Sequence, residues 1–249
     1  MSTTGSSRAS LMAHLVAHYP DGPASLEVGR ELIRGGVSFL EVQFPFSDPT
    51  ADGPAIQAAC TTALDAGFRS TDGFGLVSAL TTESEVPVFI MTYASVVVSH
   101  GVGWFAERAA AAGASGLIVP DLPPDYDEGL YDAGRATGLA VVPVLVPSSA
   151  PTRVEAALDT GPRYVYAALR RGITGASTEI GAENISFLET LRAAGCHVMA
   201  GFGIRRREQV EALQGHADTV VVGSAFVDRI SRGESVAELA RELVSGAAL

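Results

Sequence analysis

Eight short apolar, largely β-branched runs recur along the chain, with helix-like segments between them, and this alternation constrains the fold more than any other feature. The runs are LVAHY (15–19), FLEVQF (39–44), PVFIMTY (87–93), GLIVP (116–120), AVVPVLVP (140–147), YVYAAL (164–169), HVMAGFG (197–203) and TVVVGSAF (219–226). The segments between them, such as SLEVGRELIRGG, GWFAERAAAAGA and NISFLETLRAAG, are amphipathic, and several end in glycine, a frequent helix stop. Strand and helix in alternation predict a parallel sheet, and eight units favour closure into a (β/α)8 TIM barrel over an open doubly wound sheet. A chain of 249 residues suits one such α/β domain over 1–249, with residues 1–10 expected to be loose or a short capping segment. Pro143 lies inside the fifth run and cannot donate to a sheet ladder, so a bulge or an early start is expected there.

Composition narrows the chemistry. Hydrophobic residues make up 47% and charged residues 18%, enough apolar surface for a large core. Seventeen basic residues against 28 acidic ones give a net charge of −11, which argues against nucleic acid or an anionic membrane as partner. Every basic residue is arginine, so Schiff-base chemistry through a lysine of this chain is excluded. Two distant cysteines, Cys60 and Cys196, make neither a disulfide framework nor a metal site, and the five histidines show no ligand spacing. The polar start MSTTGSSRAS lacks the layout of a signal peptide, and no apolar run reaches the ~18 residues of a membrane span. A soluble, cytoplasmic protein is expected.

The candidate chemistry sits in FLEVQFPFSDPTADGPAIQ, residues 39–57. Strand alternation puts Leu40, Val42 and Phe44 on one face and Glu41 and Gln43 on the other. The apolar set must face the outer helices, so Glu41 and Gln43 point into the barrel. A carboxylate there is costly unless it is paired or functional, and near the C-terminal strand end it lies where barrel enzymes keep their catalysts. A structural carboxylate bridging polar groups is the competing reading. Asp48 and Asp52, taken singly, read as turn formers. Glycine-rich segments follow the last three runs: LRRGITGAS, GFGIRR and VVGSAF. Such loops bind phosphate through main-chain N–H groups, which suits an acidic, lysine-free chain. Arg205, Arg206 and Arg207 read as a solvated helix start, with one of them available to screen a phosphate at the rim. No G-x-S-x-G elbow supports a hydrolase triad.

PFSDPTADGPAIQ, with Glu41 four residues before it, resembles the signature of the tryptophan synthase α subunit family. MTYASV, GLIVPDLP, YVYAALRRGITG, GFGI and VVGSAF extend the resemblance in the family's order, from about residue 14 onward. The resemblance implies retro-aldol cleavage of indole-3-glycerol phosphate to indole and glyceraldehyde 3-phosphate. It assigns Glu41 as general acid/base at the ring carbon and the side-chain hydroxyl, and Asp52 as the carboxylate at the indole N–H. It places Tyr166 in the active site and Tyr93 near the indole pocket. Arg170 and Thr174 fall on the mobile loop after the sixth strand. Gly175, Gly203, Gly223 and Ser224 supply amides for the phosphate, with Phe202 beside them in GFGI. No metal and no cofactor is implied in this chain; pyridoxal phosphate belongs to a partner β subunit, in an α2β2 assembly.

Acid–base chemistry fits two carboxylates in different surroundings, one near solvent and ionised, the other in an apolar barrel with a raised pKa. Gln43 stands where the family commonly has glycine, and is expected either to hydrogen-bond Glu41 or to narrow the indole pocket. Ser95 replaces a common asparagine. Two other functions stay open at this point: a stand-alone lyase releasing free indole, and a catalytically weak barrel that activates a β subunit.

Overall fold

The computed structural model describes residues 9–169 and 180–246. Nine parallel strands form one sheet: β1 (Ser10–Val16), β2 (Phe39–Gln43), β3 (Val88–Met91), β4 (Gly116–Ile118), β5 (Ala140–Val142), β6 (Val144–Leu145), β7 (Tyr164–Ala168), β8 (His197–Gly201) and β9 (Thr219–Val222). Their order is β5-β4-β3-β2-β1-β9-β8-β7-β6. β5 and β6 are the two halves of the fifth run, split at Pro143, so nine strands make eight staves of a (β/α)8 barrel. β5 pairs with β4 and β6 pairs with β7. Proline lacks the donor but keeps the acceptor: the Tyr166 N–H donates to the Pro143 carbonyl at 2.9 Å, which ties the two ends of the sheet together.

The first strand departs from expectation. The ladder runs Ser10–Val16 rather than 15–19, because buried residues continue back through Leu11 and the chain leaves the sheet after Ala17. His18, at φ 67°, turns the backbone away, and Asp21 then caps α1 (Gly22–Arg34) by accepting from the Ala24 N–H at 2.8 Å. The change of register matters for function, because it sets His14 directly beside Glu41 on the neighbouring strand.

Outward residues of the strands, among them Leu15, Leu40, Val42, Ile90, Val165 and Val220, form a continuous core with the surrounding helices. Inward residues Met12, Phe89, Ile118, Met199 and Val221 fill the barrel itself. The N-terminal end is floored by aromatic rings: Phe39 packs edge-on to Phe89, Phe89 to Tyr164 at 5.3 Å, and Tyr164 to His197 at 5.1 Å. His197 also hydrogen-bonds Thr219 at 2.7 Å, and burial pushes its pKa down. With these rings packed across that end, the cavity that holds Glu41 and Asp52 lies toward the C-terminal ends of the strands.

Gly116 permits the close approach of β4 to its neighbours. A Cβ there would lie 2.3 Å from the Ala140 carbonyl oxygen and 2.7 Å from the Phe89 ring. Neither backbone nor a fully buried ring yields cheaply. Gly116→Ala is expected to lower stability by about 2–3 kcal/mol. The check is a reduced urea midpoint with an unchanged denaturant slope.

Candidate active site

Glu41 enters the barrel from β2 as strand alternation predicts, and Asp52 comes from the turn leading into α2 (Pro54–Asp65). Phe44 roots that turn: its ring packs edge-on to Phe68, Phe74 and Phe105. The turn is closed by the Asp52 N–H donating to the Pro49 carbonyl at 3.0 Å, while Gln57 donates to the Asp52 carbonyl at 2.9 Å. Asp48 stays exposed and shapes the turn, accepting from the Ser47 hydroxyl at 2.6 Å.

Both carboxylates line one cavity, together with His14, Tyr166, Gly203 and Gly223. Glu41 is 5% and Asp52 4% exposed, so neither is the solvent-side partner that the two-carboxylate scheme requires. They differ instead in what holds them. Glu41 Oε2 is bound by His14 Nδ1 at 2.7 Å. Asp52 Oδ2 accepts from Gln43 Nε2 at 2.7 Å and from the Tyr93 hydroxyl at 2.8 Å. Gln43 thus serves Asp52 and not Glu41. Tyr93 supports Asp52 from behind rather than lining the cavity; its oxygen also accepts from the Ala51 N–H at 3.2 Å, and its ring stacks on Phe46.

Burial strips water from Asp52 and raises its pKa, with the Glu41 charge adding to the rise; His14, Tyr93 and Gln43 pull the other way without cancelling it. Tyr166 is pushed well up by burial and by the charges of Glu41 and Asp52, so it is a neutral phenol at the cavity wall. Burial and the Asp52 charge push the Cys60 thiol up to about 12, which leaves it unreactive.

Two glycine loops border the cavity. After β8 the chain turns through two successive left-handed residues, Phe202 at φ 76° and Gly203 at φ 84°. Gln209 braces this turn: its Nε2 donates to the Gly203 carbonyl at 3.0 Å, and its Oε1 accepts from the Arg205 and Arg206 N–H groups at 2.9 and 3.1 Å. After β9, Gly223 opens α3 (Ser224–Ser231), whose first turn has no side-chain cap and so presents N–H groups suited to an anion. Arg205 donates to Ser224 Oγ at 3.0 Å and pairs with Asp228, so its charge at the rim is balanced by a carboxylate. Arg170, Thr174 and Gly175 lie outside the described residues.

His14 is the site residue that its spacing from His18 did not reveal. The signal was present: with the first strand begun at Ser10, alternation places Met12 and His14 on the inner face beside Phe39 and Glu41. Among the described residues, no group of three His, Cys, Asp or Glu could hold a metal ion.

A parallel barrel that buries two carboxylates in one cavity, with glycine loops at its C-terminal mouth, has the layout of a barrel enzyme for acid–base chemistry. A family model described as "Tryptophan synthase alpha chain" matches residues 1–247. A tryptophan synthase alpha chain of Leifsonia xyli subsp. xyli is 38% identical over 246 residues, covering 98% of this chain and 94% of its own. One from Methanosarcina mazei is 39% identical over 241 residues, covering 95% and 88%. Mycobacterium tuberculosis tryptophan synthase superposes with a TM-score of 0.91 at 35% identity, covering 98% of this chain and 94% of that one. The tryptophan synthase α2β2 complex of Pyrococcus furiosus gives 0.85 at 30% identity, with 95% and 98% covered. The chain belongs to the tryptophan synthase alpha chain family.

Proposed function

We propose that this chain, as one domain over 1–249, cleaves indole-3-glycerol phosphate to indole and glyceraldehyde 3-phosphate, as the α subunit of a tryptophan synthase. The observation that carries this reading is that Glu41 and Asp52 share one cavity with the glycine loops at Gly203 and Gly223.

The reaction needs a proton at indole C3, which makes the ring an electron sink. The C3–C1′ bond pair then becomes the ring C2=C3 bond, and the iminium pair returns to nitrogen. At the same time the C1′ hydroxyl loses its proton to become the aldehyde. Glu41 is assigned the proton transfers at C3 and at the hydroxyl, and Asp52, through Oδ1, is assigned the ring N–H, whose growing positive charge it stabilises. Tyr166 and Phe202 flank the substrate, their rings packed edge-on to each other at 5.8 Å. Gly203, Gly223 and Ser224 hold the phosphate, joined by Gly175; Arg170 and Thr174 keep the substrate-binding roles that the family resemblance implies. Tyr93 takes part by fixing Asp52.

No metal, cofactor or Schiff base enters these steps. The partner is a β subunit that carries pyridoxal phosphate and consumes the indole. Among the described residues, no helix is long and apolar enough to cross a membrane. Incubating the purified chain with indole-3-glycerol phosphate, with and without β subunit, tests the reading: indole release supports it, and none in either case overturns it. Gly203→Val tests the cradle. Valine at a left-handed φ forces the loop to move, so KM is expected to rise by about tenfold or more with kcat little changed. An unchanged KM would place the phosphate elsewhere.

A further inference from the structure

His14 is 3% exposed and lies on the cavity wall, between Glu41 and the Gly223 loop. Its Nδ1 is engaged by Glu41 Oε2 at 2.7 Å. Its other nitrogen, Nε2, is buried and has no hydrogen-bond partner among the described residues. Leaving such a group unmatched costs free energy, and a ring used only to neutralise Glu41 would be expected to satisfy both nitrogens. A Cβ built on Gly223 would sit 3.7 Å from His14 Cβ and Cγ, so the imidazole packs directly against the loop assigned to the phosphate. A molecule reaching from Glu41 to the Gly223 loop would pass this ring.

We propose that His14 is a catalytic base of the cleavage, with Nε2 accepting the proton of the C1′ hydroxyl while Glu41 orients the ring through Nδ1–H. This rests on the reaction assigned above and divides its proton transfers between two residues. Glu41 delivers a proton to C3 and becomes a carboxylate. The C3–C1′ bond then breaks, the hydroxyl O–H pair becomes the aldehyde π bond, and the released proton goes to Nε2. The imidazolium so formed is stabilised by the adjacent Glu41 carboxylate. One proton has left Glu41 and one has arrived on His14; exchange with solvent after product release restores the start. A carboxylate behind an imidazole whose far nitrogen meets a hydroxyl is a general base arrangement, worth about 10²–10⁴-fold in rate.

The test uses the full chain with β subunit and indole-3-glycerol phosphate, reading indole release. His14→Asn keeps an N–H donor near the position of Nδ1 and has no group to accept the proton. Its kcat is expected to fall about 100-fold with KM within about threefold, while glycerol 3-phosphate affinity and melting temperature stay near those of the parent. In His14→Ala, imidazole added to the medium is expected to restore at least about tenfold of the lost rate, which a purely structural role would not allow. His14→Gln is a second variant without a base, should His14→Asn fail to fold. A kcat within threefold of the parent in the folded Asn or Gln variant overturns the proposal. So does a loss that imidazole leaves untouched in His14→Ala, because His14 then only positions Glu41. If the parent chain binds glycerol 3-phosphate yet releases no indole with β subunit present, it is the assigned reaction that fails; turnover by the parent and the His14 variants alike would remove only the role of His14.

Discussion

Asp52→Asn is expected to lower indole release at least about a thousandfold and to leave the folded chain no less stable than the parent. The two effects separate because the substitution preserves shape and removes charge. Gln43 Nε2 and the Tyr93 hydroxyl both donate to one oxygen, Oδ2, and an amide oxygen in its place can accept both bonds. What is lost is the negative charge assigned above to the ring nitrogen as it turns positive. That charge is costly to maintain, since burial raises the Asp52 pKa. The raised pKa fixes the sign of two pH effects. In the parent, activity that needs the carboxylate falls as pH drops through a value above the ordinary aspartate range of about 3.9. Stability runs the other way: the contribution of Asp52 is present below its unfolded pKa and is lost as pH rises through the higher folded one. The asparagine variant escapes that loss, so its advantage over the parent should grow with pH across this window. His14, Glu41, Tyr93 and Gln43 are the groups that bear on Asp52 and should be intact in the comparison. Paired measurements of kcat and of urea midpoints against pH check both signs. Substantial cleavage by the variant would remove Asp52 from the chemistry.

The alternation of apolar runs and helical segments carried the barrel in plain view, because parallel strands buried on both faces read as continuous apolar stretches. Glu41 was legible for the complementary reason: a charge at an inward position breaks such a stretch, and period-two geometry says which way it points. Pro143 marked the interruption between β5 and β6 through its missing donor. Other features depended on contacts between distant residues. Where β1 lies was hidden because apolar residues, broken by His14, run from Leu11 through Val16 to Ala17, so that the His18–Pro20 turn, not composition, ends the strand. With that boundary displaced, His14 had no visible partner, although Glu41 lies 27 residues further on and 2.7 Å away. Gln43 was legible as inward but not as the partner of Asp52, a bond set by how the turn over α2 folds back. The depth of Asp52 was hidden for the same reason: D-P and D-G pairs read as exposed turns, and only the packing of Phe44, Phe46 and Tyr93 around this one makes it buried.

Glu41→Gln is expected to cost about a thousandfold in kcat, more than His14→Asn, and the comparison of the two reports how the residues cooperate. A glutamine can still accept from His14 Nδ1–H, so the ring keeps its support, but it has no proton for indole C3 and no charge to stabilise an imidazolium. Both halves of the exchange are therefore damaged, whereas His14→Asn removes only the acceptor at the hydroxyl. If the two act as one unit, the double variant should be little slower than Glu41→Gln alone, because His14 cannot function as a base without the carboxylate behind it. Independent roles would instead multiply the two losses. The measurement is a double-variant cycle in kcat, with glycerol 3-phosphate affinity as the control for an intact cradle. Cleavage by Glu41→Gln within about tenfold of the parent would show that the proton for C3 comes from elsewhere, since removing an essential acid should cost far more than that.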